Sequence, residues 1–208
     1  AHDHVDGVVT GATRKSAQAL SQINYVFDAS TESGAVGITA VLAGGRMVLI
    51  ADTLVHEWPD EEDLANIAER GATVAKNMGL EPRVAFVSFS TFGYPVSERA
   101  TKMARAADVL DARGVDFEYE GEMTVDVALN PTAQANYPFS RLTGPANILV
   151  VPARHSASIS VKLMQEMAGA TVIGPILAGV DRSIQICSTT STANVILNMA
   201  VLAACKVG

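Results

Sequence analysis

Five hydroxyl residues stand in a row, Ser188, Thr189, Thr190, Ser191 and Thr192, directly before the apolar stretch ANVILNMA (193–200). Small hydroxyls at the mouth of a helix suit an anion or an oxyanion, because free backbone N–H groups point the same way. Such a pocket usually also carries an acid, a base or an arginine. Here no charge interrupts the run. A second hydroxyl-rich turn, SFSTFGYP (88–95), leaves an apolar strand with Ser88, Ser90, Thr91 and Gly93 at its end. It reads either as a phosphate cradle or as an ordinary strand-to-helix turn.

Two further segments carry charge. GEMTVDVAL (121–129) spaces Glu122 and Asp126 four residues apart, on one face if the stretch is helical. Two carboxylates there can divide acid and base roles, or simply form a solvated face. VPARHSASISVKL (151–163) opens a helix with Arg154 and His155 near its start and Lys162 deeper. Cations so placed can pair with a diphosphate. His155 alone is more often a surface or cap residue than a catalyst. His2, Asp3 and His4 look like a metal pair but have no partner cluster, and His56 stands alone in a loop, so no metal is assigned. Cys187 ends an apolar strand and reads as core. Cys205 lies near the chain end, and neither cysteine has a neighbour that would lower its pKa.

The elements that must position these residues alternate. Strands are expected at 5–9, 35–43, 46–52, 83–89, 117–120, 147–151, 170–174 and 183–187. The second and third are joined by the hairpin signal Gly44-Gly45. Helices are expected at 15–27, 60–78, 97–110, 122–129, 156–167 and from about Thr192. The clearest is 60–78, where Asp60, Glu61, Glu62 and Asp63 occupy the first turn and suit the helix dipole. Residues 130–145 read as one long loop. Alternating strands and helices mean an α/β sheet with helices on its faces, and ligands then sit at the carboxyl ends of the strands.

Composition bounds the function. The 208 residues fit one large domain or two lobes, enough to bury roughly 70% of the unfolded surface. The net charge of −7 argues against a nucleic-acid surface, and 5% aromatic content argues against base stacking. No apolar run reaches the roughly 18 residues a membrane span needs. The start AHDHVDG lacks the basic and apolar regions of a secretory signal, so the cytoplasm is the expected location.

Seven segments, in order, carry a resemblance to a known family: VDGVVTGA (5–12), LIADTLVHEWPDEEDLANIA (49–68), PRVAFVSFSTFG (82–93), GEMTVDVAL (121–129), GPANILVVP (144–152), IGPILAGV (173–180) and STTSTANVILNMA (188–200). Together they resemble the phosphate acetyl/butyryl transferases, which exchange acyl groups between coenzyme A and phosphate. PFSRLTGPANILVVPARHSASISVKLMQE (138–166) and VVTGATRKS (8–16) look like the branch at the C-terminus of bacterial NADP-dependent malic enzymes. The resemblance implies mostly parallel sheets flanked by helices in two lobes, with the site in the cleft between them. This chain would then be an N-terminally truncated fragment. Residues 1–55 would be the remainder of the first lobe, 56–180 the second lobe, and 181–208 a strand and helix returning to the first.

The same resemblance implies acetyl-CoA or CoA as ligand, bound with phosphate by Ser90, Thr91, Gly93, Glu122, Asp126, Asn147, Arg154, Lys162 and Ser188. NADP and a divalent metal would belong to a malic enzyme domain of the same chain. Homo-oligomers would form through the C-terminal lobe, with Val195, Ile196, Met199 and Leu202 of the last helix either a seam or core. Departures matter as much. Active transferases have arginine where Thr189 stands and aspartate where Val195 stands. They commonly have lysine at Phe92, and Asp-Leu-Asn-Thr-Gly-Asn where this chain has ARHSAS (153–158). A valine accepts no proton, and a positioned base is worth on the order of 10² to 10⁴ in rate. Loss of transferase chemistry is therefore expected, with ligand binding retained. The alternatives are an active transferase using His155, Asp126 or Glu122 as base and Arg154 or Arg141 for phosphate, and a purely structural module.

Overall fold

A computed structural model describes residues 5–26, 34–180, 182–205 and 207–208. The His2–Asp3–His4 run lies outside the described residues. The chain opens with β1 (Val8–Gly11) and α1 (Ser16–Val26). A hairpin follows, β2 (Val36–Ala43) and β3 (Arg46–Ala51), turning on Gly44 and Gly45 at φ of 56° and 73°. That left-handed backbone is open to glycine without steric cost. Next come α2 (Glu61–Asn77), β4 (Arg83–Val87), α3 (Glu98–Arg113), β5 (Glu118–Met123), α4 (Val125–Leu129) and α5 (Pro131–Gln134). The chain ends with β6 (Ile148–Val150), α6 (Arg154–Ala168), β7 (Thr171–Ala178), β8 (Ile184–Cys187) and α7 (Ala193–Ala204).

Six strands form one sheet in the order β5-β4-β6-β3-β2-β7. The neighbours from β5 to β3 are parallel, while β2 runs antiparallel to both β3 and β7. β1 and β8 pair in parallel as a separate two-stranded sheet. The expected boundary at residues 55 and 56 does not coincide with a boundary between sheets. β2 and β3 lie before it, yet they hydrogen-bond into the sheet that holds β4 to β7. The two sheets meet at Gln185, fully buried on β8. Its amide accepts from the Leu177 N–H at 2.9 Å and donates to the Leu177 carbonyl at 3.4 Å, as a strand would.

Each sheet face has its own core. α2 and α3 bury Leu64, Ile67, Met103 and Leu110 against Phe86 and Ile148. α2 starts where its acids predict, because Asp60 accepts from the Asp63 N–H and Asp63 accepts from the Asp60 N–H. Such a capping box contributes about 1 kcal/mol. The opposite face packs Val87, Met123, Leu149 and Val151 against Val127 of α4 and Ala157 of α6. α6 buries only Ala157, and leaves Ile159, Leu163 and Met167 exposed. On α7, Met199 is core, while Leu197 and Val201 face outward. No helix among the described residues is long and apolar enough to cross a membrane.

Three expectations change. The helix expected from residue 122 begins at Val125, because β5 continues to pair with β4 through Met123 opposite Val87. Glu122 and Asp126 therefore share no helical face. Gly121 permits the pairing: a Cβ there would lie 2.7 Å from the Phe86 Cβ. The loop 130–145 contains α5, with Pro131 at its start and Asn130 capping the Thr132 N–H. β7 runs on past residue 174 to Ala178.

Candidate functional site

The turns after β4 and β5 are tied to each other. Glu122, at the end of β5, is 2% exposed and accepts hydrogen bonds from the Ser90 hydroxyl and, at 2.7 Å, from the Gly93 N–H. The Thr91 hydroxyl donates to Thr124 Oγ1 at 3.1 Å and accepts from the Thr124 N–H at 3.1 Å. So Ser90, Thr91, Gly93 and Glu122 do come together. They spend their polar atoms on one another, however, and Glu122 works as a clamp between two turns. Phe92, at φ 48°, packs its ring 5.1 Å from Tyr137 and 4.8 Å from Phe139.

The remaining expected site residues are dispersed. Asp126 is exposed in the first turn of α4, and a bond from the Thr124 hydroxyl holds its carboxyl below the usual carboxylate range. Asn147 stands at the opposite, amino end of β6. Its amide accepts from the Arg83 N–H at 2.8 Å and donates to the Glu81 carbonyl at 2.7 Å, stitching β6 to the start of β4. Lys162 is exposed two turns into α6. Arg154 donates to the Leu54 carbonyl at 3.2 Å and pairs with Glu57 at 3.4 Å. Arg141 is committed to the sheet edge, bonded to Asp111 and Glu120 and lying 4.6 Å over the Tyr119 ring. Burial and the bond to Asp111 push that phenol up to about 12.

Ser188 follows β8, on the two-stranded sheet. Its hydroxyl lies 3.0 Å from Thr190 Oγ1 and accepts from the Thr190 N–H at 3.2 Å. Thr192 caps α7 through the Val195 N–H at 3.4 Å. Thr189 is exposed, and Val195 sits half-buried in the first turn. The turn is a well-formed helix N-terminus without a charged side chain.

Strand order creates a different opening. The chain leaves β4 for its neighbour β5 on one side, and leaves β6 for β7 at the far edge on the other. α3 and α6 thus pack on opposite faces, and a crevice opens between the carboxyl ends of β4 and β6, as at any such reversal of strand order. A cleft of about 350 Å³ occupies it. Val87, Val151 and Pro152 are apolar lining, Arg99 and Lys102 come from α3, and His155, Ser156 and Ser160 come from α6. α6 begins after Ala153, which has no side-chain oxygen to cap it. Trp58 also lines the cleft, its ring 5.0 Å from that of His155.

A buried carboxylate holds the Trp58 loop. Asp52, 2% exposed, accepts from the N–H groups of Gly37, Leu54, Val55 and His56 at 2.7 to 3.1 Å. His56 Nδ1 lies 2.8 Å from Asp52 Oδ2, and Asp63 lies 3.8 Å from the other ring nitrogen. His56 is not alone in its loop. The bond to Asp52 raises its pKa above the ordinary value, against the opposing effect of burial. Of the cleft residues, the sequence singles out Ser88, His155 and, within the ARHSAS segment, Ala153 and Ser156, but it misses Trp58, Arg99 and Lys102. The available signal was the i, i+3 pair of cations Arg99 and Lys102 at a helix start that follows a strand.

A mixed sheet with a crevice at its strand-order reversal, a clamped hydroxyl turn and a second hydroxyl turn heading the last helix define a phosphotransacetylase-like α/β fold. The chain belongs to the phosphate acetyl/butaryl transferase family, whose model matches residues 1–204. Over 98% of its length it is 49% identical to the NADP-dependent malic enzyme of Rhizobium meliloti (strain 1021). Over 97% of its length it is 30% identical to the phosphate acetyltransferase of Bacillus subtilis (strain 168), of which it spans 63%. A phosphotransacetylase structure from Streptococcus pyogenes matches with a TM-score of 0.90 at 27% identity, across 98% of this chain and 63% of that one. The chain spans about a quarter of the malic enzymes it matches, 27% of the Rhizobium protein.

Proposed function

We propose that this chain is the acyl-CoA-sensing regulatory and assembly module of an NADP-dependent malic enzyme, which oxidatively decarboxylates malate to pyruvate, and that its own transferase chemistry is lost. NADP and the divalent metal belong to the malic enzyme part. Acetyl-CoA or CoA is the ligand of this module, and homo-oligomers form through its C-terminal region. The observation that carries the reading is the Ser188 turn. Its hydroxyls bond within the turn, and Val195 stands where a transferase of this family has its base. Of the substitutes an active transferase could use, Glu122, Arg141 and Arg154 are each engaged elsewhere, while Asp126 is exposed and His155 packs beside Trp58.

Regulation requires that acetyl-CoA bind two states of the enzyme with different affinity. The test is malate oxidation by the full-length protein, with and without acetyl-CoA, beside an assay of acetyl transfer between acetyl phosphate and CoA. Altered malate kinetics with no transfer supports the reading. Transfer above background replaces it with an active phosphate acetyltransferase. Neither effect leaves a structural assembly module.

A further inference from the structure

We infer that residues 53–59 form a strap across the mouth of the cleft between β4 and β6, and that protonation of His56 is the latch that holds it shut. The strap joins β3 to α2 and touches helices on both faces of the sheet. Its Leu54 carbonyl accepts from Arg154 of α6 at 3.2 Å, and its Pro59 carbonyl accepts from Lys102 of α3 at 2.6 Å. Trp58, 64% exposed, stands between these two anchors in the chain and lines the cleft.

The two halves of the strap are held unequally. The N–H groups of Leu54, Val55 and His56 all donate to Asp52 at 2.7 to 3.1 Å, which fixes the first half to β3 whatever the state of the imidazole. In the second half, Glu57 pairs with Arg154 at 3.4 Å, and both side chains are largely exposed. A surface pair of this kind holds weakly. The movable piece is thus Glu57 and Trp58, and the His56 side chain sits at its hinge.

That side chain lies between carboxylates on two elements. Nδ1 is 2.8 Å from Asp52 Oδ2 at the end of β3, and Nε2 is 3.8 Å from Asp63 Oδ1 in the first turn of α2. An ionised carboxylate only accepts, and a neutral imidazole has one N–H to give. Only the imidazolium satisfies both sides. A neutral ring that keeps its bond to Asp52 turns a lone pair toward Asp63, and the tie from strap to α2 is lost. The charges acting on the ring are Asp52 from β3 with Asp63 and Asp60 from α2, all acidic, and they outweigh burial in raising its pKa. The ring is 19% exposed, so protons reach it. The latch holds in acid and releases as pH rises through a value above 6.5, within the range where histidine switches operate.

The bearing of this strap on acyl-CoA entry rests on the function proposed above, but its motion is measured without ligand, so the two readings fail separately. Trp58 is the chain's one tryptophan, and its fluorescence anisotropy reports the order of the strap directly. His155 of α6 lies 5.0 Å from the indole and is itself titratable, so His155→Gln supplies a background free of that neighbour's charge. In the parent and in His155→Gln, anisotropy should fall as pH rises from about 5 to 8, with one inflection above 6.5. His56→Gln should give the low, released value throughout, with its far-ultraviolet circular dichroism unchanged. Asp63→Asn keeps an acceptor for the Asp60 N–H and removes one acidic partner of the ring, so the inflection should move to lower pH. It also serves as the test should His56→Gln fail to fold. A parent anisotropy that does not change with pH, an inflection that survives His56→Gln, or one that Asp63→Asn leaves in place overturns the inference.

Discussion

The imidazole of His56 and the carboxylate of Asp52, four residues apart, meet at 2.8 Å where β3 gives way to the loop that carries Trp58. Asp52 is almost fully enclosed, and among the described residues its two oxygens are met by N–H groups and the His56 ring. A carboxylate so surrounded organises the loop around itself. Its ring partner gives that organisation a pH dependence.

The folded-state pKa of His56 lies above its ordinary value of 6.5. A histidine whose pKa is raised by folding contributes stability that is full below the unfolded value and is lost as pH rises through the folded value. Melting temperatures of the parent and of His56→Gln should therefore differ most in acid and converge above neutrality. A constant difference across that range would deny the charged pair. Asp52→Asn, which replaces one acceptor oxygen by a donor among these N–H groups, should cost on the order of 3 kcal/mol by urea denaturation.

Glu122→Ala should destabilise by about 2 kcal/mol, since it leaves the Gly93 N–H and the Ser90 hydroxyl without their acceptor. The loss should be local as well as global. Hydrogen exchange at residues 88–97 should accelerate before that of α2. Uniform acceleration would mean that Glu122 is no clamp.

Where the sequence was legible, local chemistry was enough. The acids of Asp60 to Asp63 mark the start of α2, and Gly44-Gly45 marks the hairpin, because caps and tight turns are set by neighbours in the chain. Glu122 was misread because EMTVDVAL has a strand end and a helix start within a few residues, and neither period dominates so short a stretch. Trp58, Arg99 and His155 are far apart in sequence. What unites them is the order of strands in the sheet, which no local pattern displays.

Asn147→Ala separates two roles for a residue that the family resemblance places at the ligand. Both ends of its amide bond backbone groups at the amino end of β6, away from the carboxyl ends where the cleft opens. Stability should fall by about 1 to 2 kcal/mol. Acetyl-CoA affinity, measured by calorimetry on the folded variant, should stay within a factor of about two. A selective loss of affinity at unchanged stability would place Asn147 in a ligand site after all.

The double substitution Thr189→Arg with Val195→Asp asks whether the Ser188 turn is a transferase site missing only its charges. The backbone there tolerates both changes. Thr189 is exposed, and Val195 is half-buried in the first turn of α7, where a carboxylate suits the helix dipole. Thr192 keeps its capping oxygen, so the helix start should persist. If the rest of the site survives, the full-length double variant should transfer acetyl groups from acetyl phosphate to CoA at a rate well above its parent. A positioned base alone is worth on the order of 10² to 10⁴. Each single variant should gain much less, because the arginine holds the phosphate leaving group of acetyl phosphate while the base-activated thiolate attacks the acetyl carbonyl carbon. A folded double variant no more active than its parent would mean that transfer needs more than these two positions, with Phe92 and the Ala153–Ser158 segment the next to change.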